Sequence, residues 1–136
     1  MEKWATGIFT SIDEGLGAGL YWVRELGVST VHLHAPGVDF RTGARTAEIK
    51  EQFAEAGIEI SVVFVGFPDD EYTTTEIVKQ TVGLVPPHRR VNRLADTLAI
   101  ADFAKELGGD AIGMHLGFVP PDPSDPGFAA IVETTR

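Results

Sequence analysis

A short motif that recurs at the end of each long predicted helix limits what this chain can fold into. Glu-Leu-Gly, Glu-Ala-Gly and Glu-Leu-Gly begin at positions 25, 55 and 106, and a strand-like stretch follows each within a few residues. Glycine just past the last helical residue is a common helix end, because it adopts a positive φ at little cost. The repeat therefore predicts several units in which a helix ends and a buried strand begins.

The hydrophobic pattern places four strands between the helices. We predict strands near residues 5 to 11, 30 to 35, 58 to 66 and 110 to 116, and helices over 15 to 26, 45 to 56, 88 to 107 and 127 to 136. Strands that alternate with helices indicate an α/β fold with a parallel sheet. Either an open doubly wound sheet or part of a (β/α)8 barrel would fit this alternation.

The second strand favours the barrel. Its His32 and His34 share one face, while Val31 and Leu33 share the other. The nitrogens of two imidazoles would rarely find hydrogen-bond partners beneath covering helices, whereas in a barrel the two rings can project into the lumen. A complete TIM barrel takes about 250 residues, and this chain supplies four strands in 136. We therefore predict one partial (β/α)4 half-barrel domain over residues 1–136, with the chain ending inside the fourth helix.

Composition excludes several classes of protein. The net charge of −9 and the pI near 4.8 argue against a nucleic-acid or anionic-membrane surface, which is usually basic. The absence of cysteine excludes disulfides and thiolate metal sites. The longest apolar run, over residues 60 to 67, is too short to span a bilayer, and the chain starts without a signal-like segment. A cytoplasmic protein is the expectation.

A longer insertion over residues 68 to 87 precedes the most regular predicted helix. It is acidic at 69 to 71, and its residues 73 to 76 could cap one helical turn. Arg89, Arg90 and Arg93 lie in the first turns of the following helix, where the helix dipole disfavours cations. A compensating anion is expected: either the acids at 69 to 71 or a substrate phosphate.

Four stretches carry a resemblance to a known superfamily. They are Gly7-Ile-Phe-Thr-Ser in the first strand, Val31-His-Leu-His in the second, the helix over 90 to 108, and Gly113-Met-His-Leu-Gly117 in the fourth strand. Together they resemble the xylose-isomerase-like TIM barrel superfamily, specifically its sugar phosphate isomerase/epimerase branch. The likeness extends over the whole chain and corresponds to the N-terminal half of that family's barrel.

The resemblance implies a reaction. In that family a proton moves between adjacent carbons of a sugar through an enediolate, while a divalent metal, manganese or similar, polarises the oxygens. The metal ligands come mainly from the last four strands, which have no counterpart in these residues. The resemblance thus implies that the chain alone is inactive and binds no metal tightly, and it leaves the catalytic residues unknown.

Three residues are the candidates for binding a sugar or sugar phosphate. His34 and His115 are expected at the C-terminal mouth of the sheet, where barrel active sites lie, and Arg90 could meet a phosphate. His115 also matches a metal-ligating histidine of the related apurinic-site endonuclease branch, so it is the one metal candidate. His32, deeper in its strand, is expected to be structural.

Two alternatives to the isomerase or epimerase remain. One is a non-catalytic half-barrel that associates with itself, since a homodimer would cover the unpaired edges of the first and fourth strands. The other is a metal-dependent hydrolase resembling the apurinic-site endonucleases, which the acidic charge disfavours.

Overall fold

The four strands of the structure follow one another in a single parallel sheet. The structure, a computed structural model, describes residues 6–136, so position 5 of the predicted first strand lies outside the described residues. The strands are β1 (Gly7–Thr10), β2 (Thr30–His34), β3 (Glu59–Val65) and β4 (Ile112–Met114). Their order is β1-β2-β3-β4, and β2 pairs in parallel with both β1 and β3. The predicted α/β fold and strand order are confirmed.

Within the described residues, five α-helices lie between or after these strands. They are α1 (Leu20–Leu26), α2 (Gly43–Ala56), α3 (Thr75–Thr81), α4 (Pro87–Leu107) and α5 (Pro126–Thr134), and a 3-10 helix spans Val38–Phe40. Gly27, Gly57 and Gly108 follow α1, α2 and α4 with φ angles of 67°, 68° and 92°. The recurrent motif therefore ends three helices as predicted. Thr74 caps α3 by accepting a hydrogen bond from the Ile77 amide at 3.2 Å.

Burial divides the sheet into a covered face and an open one. Val31 and Leu33 of β2 and Val63 of β3 have no exposed surface, whereas His32 on the opposite face of β2 is exposed. Ile49 and Phe53 of α2 are buried as well, and α2 packs against β3. This alternation fits the predicted strand faces, with apolar side chains toward helices and histidines away from them.

The predicted start of the first helix is wrong. The pattern placed it at residue 15, but α1 begins at Leu20. The preceding segment instead pairs with β1, because the Ala18 amide donates to the Phe9 carbonyl at 3.0 Å. Gly17 has a φ of 112°, and a side chain there would collide with the Phe9 backbone. A close approach between two backbones, rather than helix formation, explains this glycine-rich stretch.

The predicted end of the fourth strand is also wrong. The pattern extended it to residue 116, but β4 ends at Met114. The Leu116 carbonyl accepts hydrogen bonds from the amides of Leu84 and Val85 at 2.9 and 3.2 Å. Gly117 follows with a φ of 100°, in close contact with the Val82 backbone. The chain leaves the strand because its backbone pairs with the insertion.

The described residues form two compact units, each considered by itself below. The first comprises the described residues up to Val65 together with Ala99–Gly113, and the second comprises Gly66–Leu98 and Met114–Arg136. The prediction of a single domain stays a prediction. Within residues 6–136 no helix is both long and apolar enough to cross a membrane.

Candidate functional site

His34 ends β2 and brings an imidazole to the carboxyl end of the strand in the first unit. The ring is half-buried, and its Nδ1 atom is buried without a hydrogen-bond partner. Gly15 lies against it so closely that a Cβ at this position would be 2.5 Å from Nδ1. Burial lowers the pKa of His34, and the charge of Asp13 only partly opposes this effect. His34 is thus biased toward the neutral imidazole.

Asp13 lies beside this ring, three residues after β1. Its Oδ2 atom accepts a hydrogen bond from the Gly37 amide at 2.7 Å, which fixes the carboxylate at the start of the loop that follows β2. Its Oδ1 atom is buried and has no hydrogen-bond partner among the described residues. Buried polar atoms are normally paired, so an unpaired carboxylate oxygen and an unpaired imidazole nitrogen indicate a place for a polar ligand or water.

His32 lies deeper in the same strand. Its ring makes an edge contact with Phe9, with centroids 5.3 Å apart and planes at 84°. It lines a pocket of ≈ 270 Å³ together with Thr30 and Ser61, toward the starts of the strands. The structural role expected of His32 stays a prediction.

His115 directly follows β4 in the second unit. Its Nδ1 atom lies 2.9 Å from the Tyr72 hydroxyl, and the two rings meet edge to face with centroids 5.7 Å apart. Both residues line a pocket of ≈ 450 Å³ whose other walls include Val78, Val82 and Met114. The strand end thus presents an imidazole supported by a phenol.

An ion-pair cluster holds the base of the insertion in the same unit. Arg89 and Arg93 both pair with Asp69, and Arg93 also reaches Asp70 at 3.0 Å. Burial alone would raise the pKa of Asp69, but the hydrogen bond and charge of Arg93, with the charge of Arg89, hold it below the usual range. The acids at 69 and 70 are therefore the anions that these two arginines required.

The Arg90 side chain donates hydrogen bonds to the backbone. Its Nε donates to the Leu84 carbonyl at 2.8 Å and its Nη2 to the Val85 carbonyl at 2.6 Å. These bonds brace the chain just before α4. Its role toward a substrate phosphate stays a prediction.

A metal does not fit the side chains that the structure describes. Over residues 6–136 no three histidine, aspartate or glutamate side chains gather closely enough to hold an ion. The Nδ1 atom of His115, the one candidate ligand from the sequence, lies 2.9 Å from the Tyr72 hydroxyl.

Sequence reasoning missed two residues of these sites. Asp13 could have been found by its place just past a strand end, on the side where His34 was expected. Tyr72 offered no such signal, because it lies in the insertion and meets His115 across 43 positions of sequence. His34 and His115 themselves lie at strand ends as predicted, each within its own unit.

Two solved structures are similar to this chain. A crystal structure of a xylose isomerase domain protein from Planctomyces limnophilus is 40% identical, with a TM-score of 0.92, and the match covers 97% of this chain and 46% of that chain. A crystal structure of D-psicose 3-epimerase in the presence of D-fructose matches 96% of this chain and 46% of its own, with a TM-score of 0.61. Its identity is 18%, so this likeness concerns the fold alone.

The chain thus spans about half the length of each of these structures. No protein-family model matches the chain, and no curated protein does.

Proposed function

Because the chain belongs to the xylose-isomerase-like TIM barrel superfamily, we propose that it is a sugar isomerase-like or epimerase-like protein that binds sugar at its strand ends. The observation that carries the proposal is the 40% identity, over 97% of this chain, to a xylose isomerase domain protein. The fold of a D-psicose 3-epimerase is consistent with the same class of ligand.

His34 and Asp13 are proposed as a subsite for sugar hydroxyls. A hydroxyl can donate one hydrogen bond and accept others, so one group could satisfy both the Oδ1 of Asp13 and the Nδ1 of His34. A carboxylate acceptor strengthens such a bond. Gly15 and Gly37 border the pair, and the absence of a side chain at Gly15 gives His34 its room.

Hydroxyl recognition is better supported than phosphate recognition. Arg89 and Arg93 are paired with Asp69, and Arg90 is engaged with carbonyl groups. A phosphate would have to compete with these partners. The proposed ligand is therefore a sugar, with a phosphorylated sugar bound through Arg90 as the alternative form.

Turnover is proposed to require more of a barrel than this chain supplies. The structures it matches are about twice as long, and its described side chains form no metal cluster. A ketohexose incubated with the chain and Mn²⁺ in deuterated water should gain no deuterium beside its carbonyl. Chelator-sensitive deuterium uptake would contradict this expectation.

We also propose that two copies pair through their sheet edges. β1 and β4 are the outermost strands of the sheet, and outer strands leave backbone groups available for pairing. Ala18 already occupies the β1 edge at Phe9, so the proposed pairing uses the part of β1 before Phe9. Two four-stranded sheets joined in this way would supply the eight strands of a barrel.

Calorimetric titration with D-fructose and D-psicose tests the proposed ligand class. We expect saturable binding, weakened about fivefold in His34→Ala or Asp13→Ala, because each variant removes a hydrogen-bond partner worth about 1 kcal/mol. His88→Ala is the matched control, since His88 is an exposed histidine on α4. Failure of every sugar to bind, or equal affinity of the His34 and His88 variants, would contradict the proposal.

A further inference from the structure

The insertion delivers a fixed carboxylate beside the Tyr72 and His115 pair. The Asp70 side chain is only 8% exposed. Its Oδ1 atom accepts a hydrogen bond from the Gly83 amide at 3.2 Å and pairs with Arg93 at 3.0 Å. These two contacts orient the carboxylate, so that its Oδ2 atom is the oxygen directed to Tyr72 at 3.5 Å.

Tyr72 lies between an acid and an imidazole. Its hydroxyl is 3.5 Å from Oδ2 of Asp70 and 2.9 Å from Nδ1 of His115. The hydroxyl carries one proton, so both contacts are attractive in only one arrangement. In that arrangement the Tyr72 O–H points to Asp70 while the Nδ1–H of His115 donates to the phenol oxygen. The reverse arrangement would place a phenol lone pair against a carboxylate.

The environment of Tyr72 keeps its proton in place. Burial and then the charge and hydrogen bond of Asp70 raise the pKa of Tyr72 above its ordinary value. The phenol therefore stays a donor toward Asp70 across the range of pH in which proteins work. Arg93 behind Asp70 stabilises the carboxylate as an acceptor.

We propose that Asp70, Tyr72 and His115 form a hydrogen-bond relay that holds His115 as its Nδ1–H tautomer and leaves Nε2 as the acceptor nitrogen. Tyr72 is the positioning residue, because it acts on the ring rather than on a ligand. The second nitrogen of a neutral imidazole is set by the bond that the first one makes. The ligand is a sugar hydroxyl that donates to Nε2 from the pocket lined by Tyr72, Met114 and His115, and this last step rests on the proposed function.

Long-range ¹H–¹⁵N spectra of the histidine rings at high pH test the relay without any ligand or turnover. We expect His115, assigned by loss of its signals in His115→Gln, to show a protonated Nδ1 and an unprotonated Nε2. Tyr72→Phe should abolish this preference and return the ring to the tautomer mixture of an unrestrained neutral imidazole. A protonated Nε2 in the unaltered chain would overturn the proposal, and so would an unchanged tautomer in Tyr72→Phe.

A matched variant separates the relay from a general effect of losing a phenol. Tyr21→Phe removes the hydroxyl of a tyrosine that is 66% exposed and makes an edge-to-face contact with Trp22 in the first unit. It should leave the His115 tautomer as it is, and a shift equal to that of Tyr72→Phe would count against the relay. Titration with D-fructose is the separate arm: if no sugar binds but the tautomer result holds, the proposed function fails and the relay stands.

Discussion

Replacing Arg93 by methionine should strongly destabilise the second unit. The guanidinium is 6% exposed and donates to the carbonyls of Thr81 and Gly83 at 2.6 and 2.7 Å while pairing with Asp69 and Asp70. Methionine keeps much of the length of the side chain but supplies no donor. The change therefore leaves two carbonyls and the nearly buried Asp70 carboxylate without their main partner.

The expected loss of stability follows from the burial of the Arg93 and Asp70 ion pair. Removing one partner of a buried ion pair typically costs about 3–5 kcal/mol, because the other charge stays buried and uncompensated. The unpaired carbonyls belong to the same loss and are not added to it. The Arg93 guanidinium also stacks 4.4 Å from the Phe67 ring centroid, a contact that the thioether partly keeps. For a chain of this size such a loss lowers the melting temperature by about 10–20 °C.

Thermal unfolding followed by circular dichroism measures this loss. Arg45→Met is the matched control, because Arg45 pairs with Glu48 at the surface, where the side chains are 59% and 55% exposed. Exposed pairs contribute about 0.2–1 kcal/mol, so this variant should melt within a few degrees of the unaltered chain. If the two variants melt at the same temperature, the buried ion-pair cluster does not stabilise the insertion.

Three further predictions concern pH, a glycine and assembly. The pKa of Asp69 is lowered in the folded chain, so its contribution is fully present above the ordinary aspartate value and is lost as pH falls through the folded value. The melting temperature should thus fall more between about pH 5 and pH 2 in the unaltered chain than in Asp69→Asn. An equal fall in both proteins would contradict a stabilising role of the Asp69 carboxylate. Gly117→Ala should lower the free energy of unfolding, measured by urea titration, by about 2 kcal/mol or more, because a φ of 100° and the nearby Val82 carbonyl leave no room for a side chain. Gly43→Ala, at the open start of α2, is the control and should be neutral or stabilising in the same titration. Light scattering should show a dimer at micromolar concentration, and a monodisperse monomer that melts cooperatively would exclude pairing through β1 and β4.

Local signals were enough to predict most of the framework. The glycines after α1, α2 and α4 could be placed from sequence because a positive φ at a helix end is a property of the residue itself. The strand order followed from the alternation of elements, since parallel strands need crossover connections. The exceptions arose where distant backbones meet.

Leu16 and Leu26 show why the first helix was mispredicted. Both fit the helical spacing of the sequence, yet they are 52% and 64% exposed. The true start of α1 depends on how closely Gly17 approaches Phe9, and the end of β4 depends on the pairing of Leu116 with the insertion. Such contacts between separate segments leave no periodic trace in the sequence.

The residues of the candidate sites likewise separate into those that local sequence patterns predict and those that depend on contacts between distant segments. His34 and His115 were predictable because alternation along a strand fixes which residues reach its end. Asp13 and Tyr72 were not, because their roles depend on the loops that carry them to the two rings.

Mapping of D-fructose on the backbone amide spectrum of the ¹⁵N-labelled chain tests whether the sugar binds beside Asp13 and His34. We expect saturable shifts of the amides at 13 to 15 and at 34, 35 and 37, around the unpaired atoms of Asp13 and His34. Shifts confined to the start of β3, where Lys50 and Phe53 line another pocket, would contradict it, as would a spectrum that the sugar leaves unchanged.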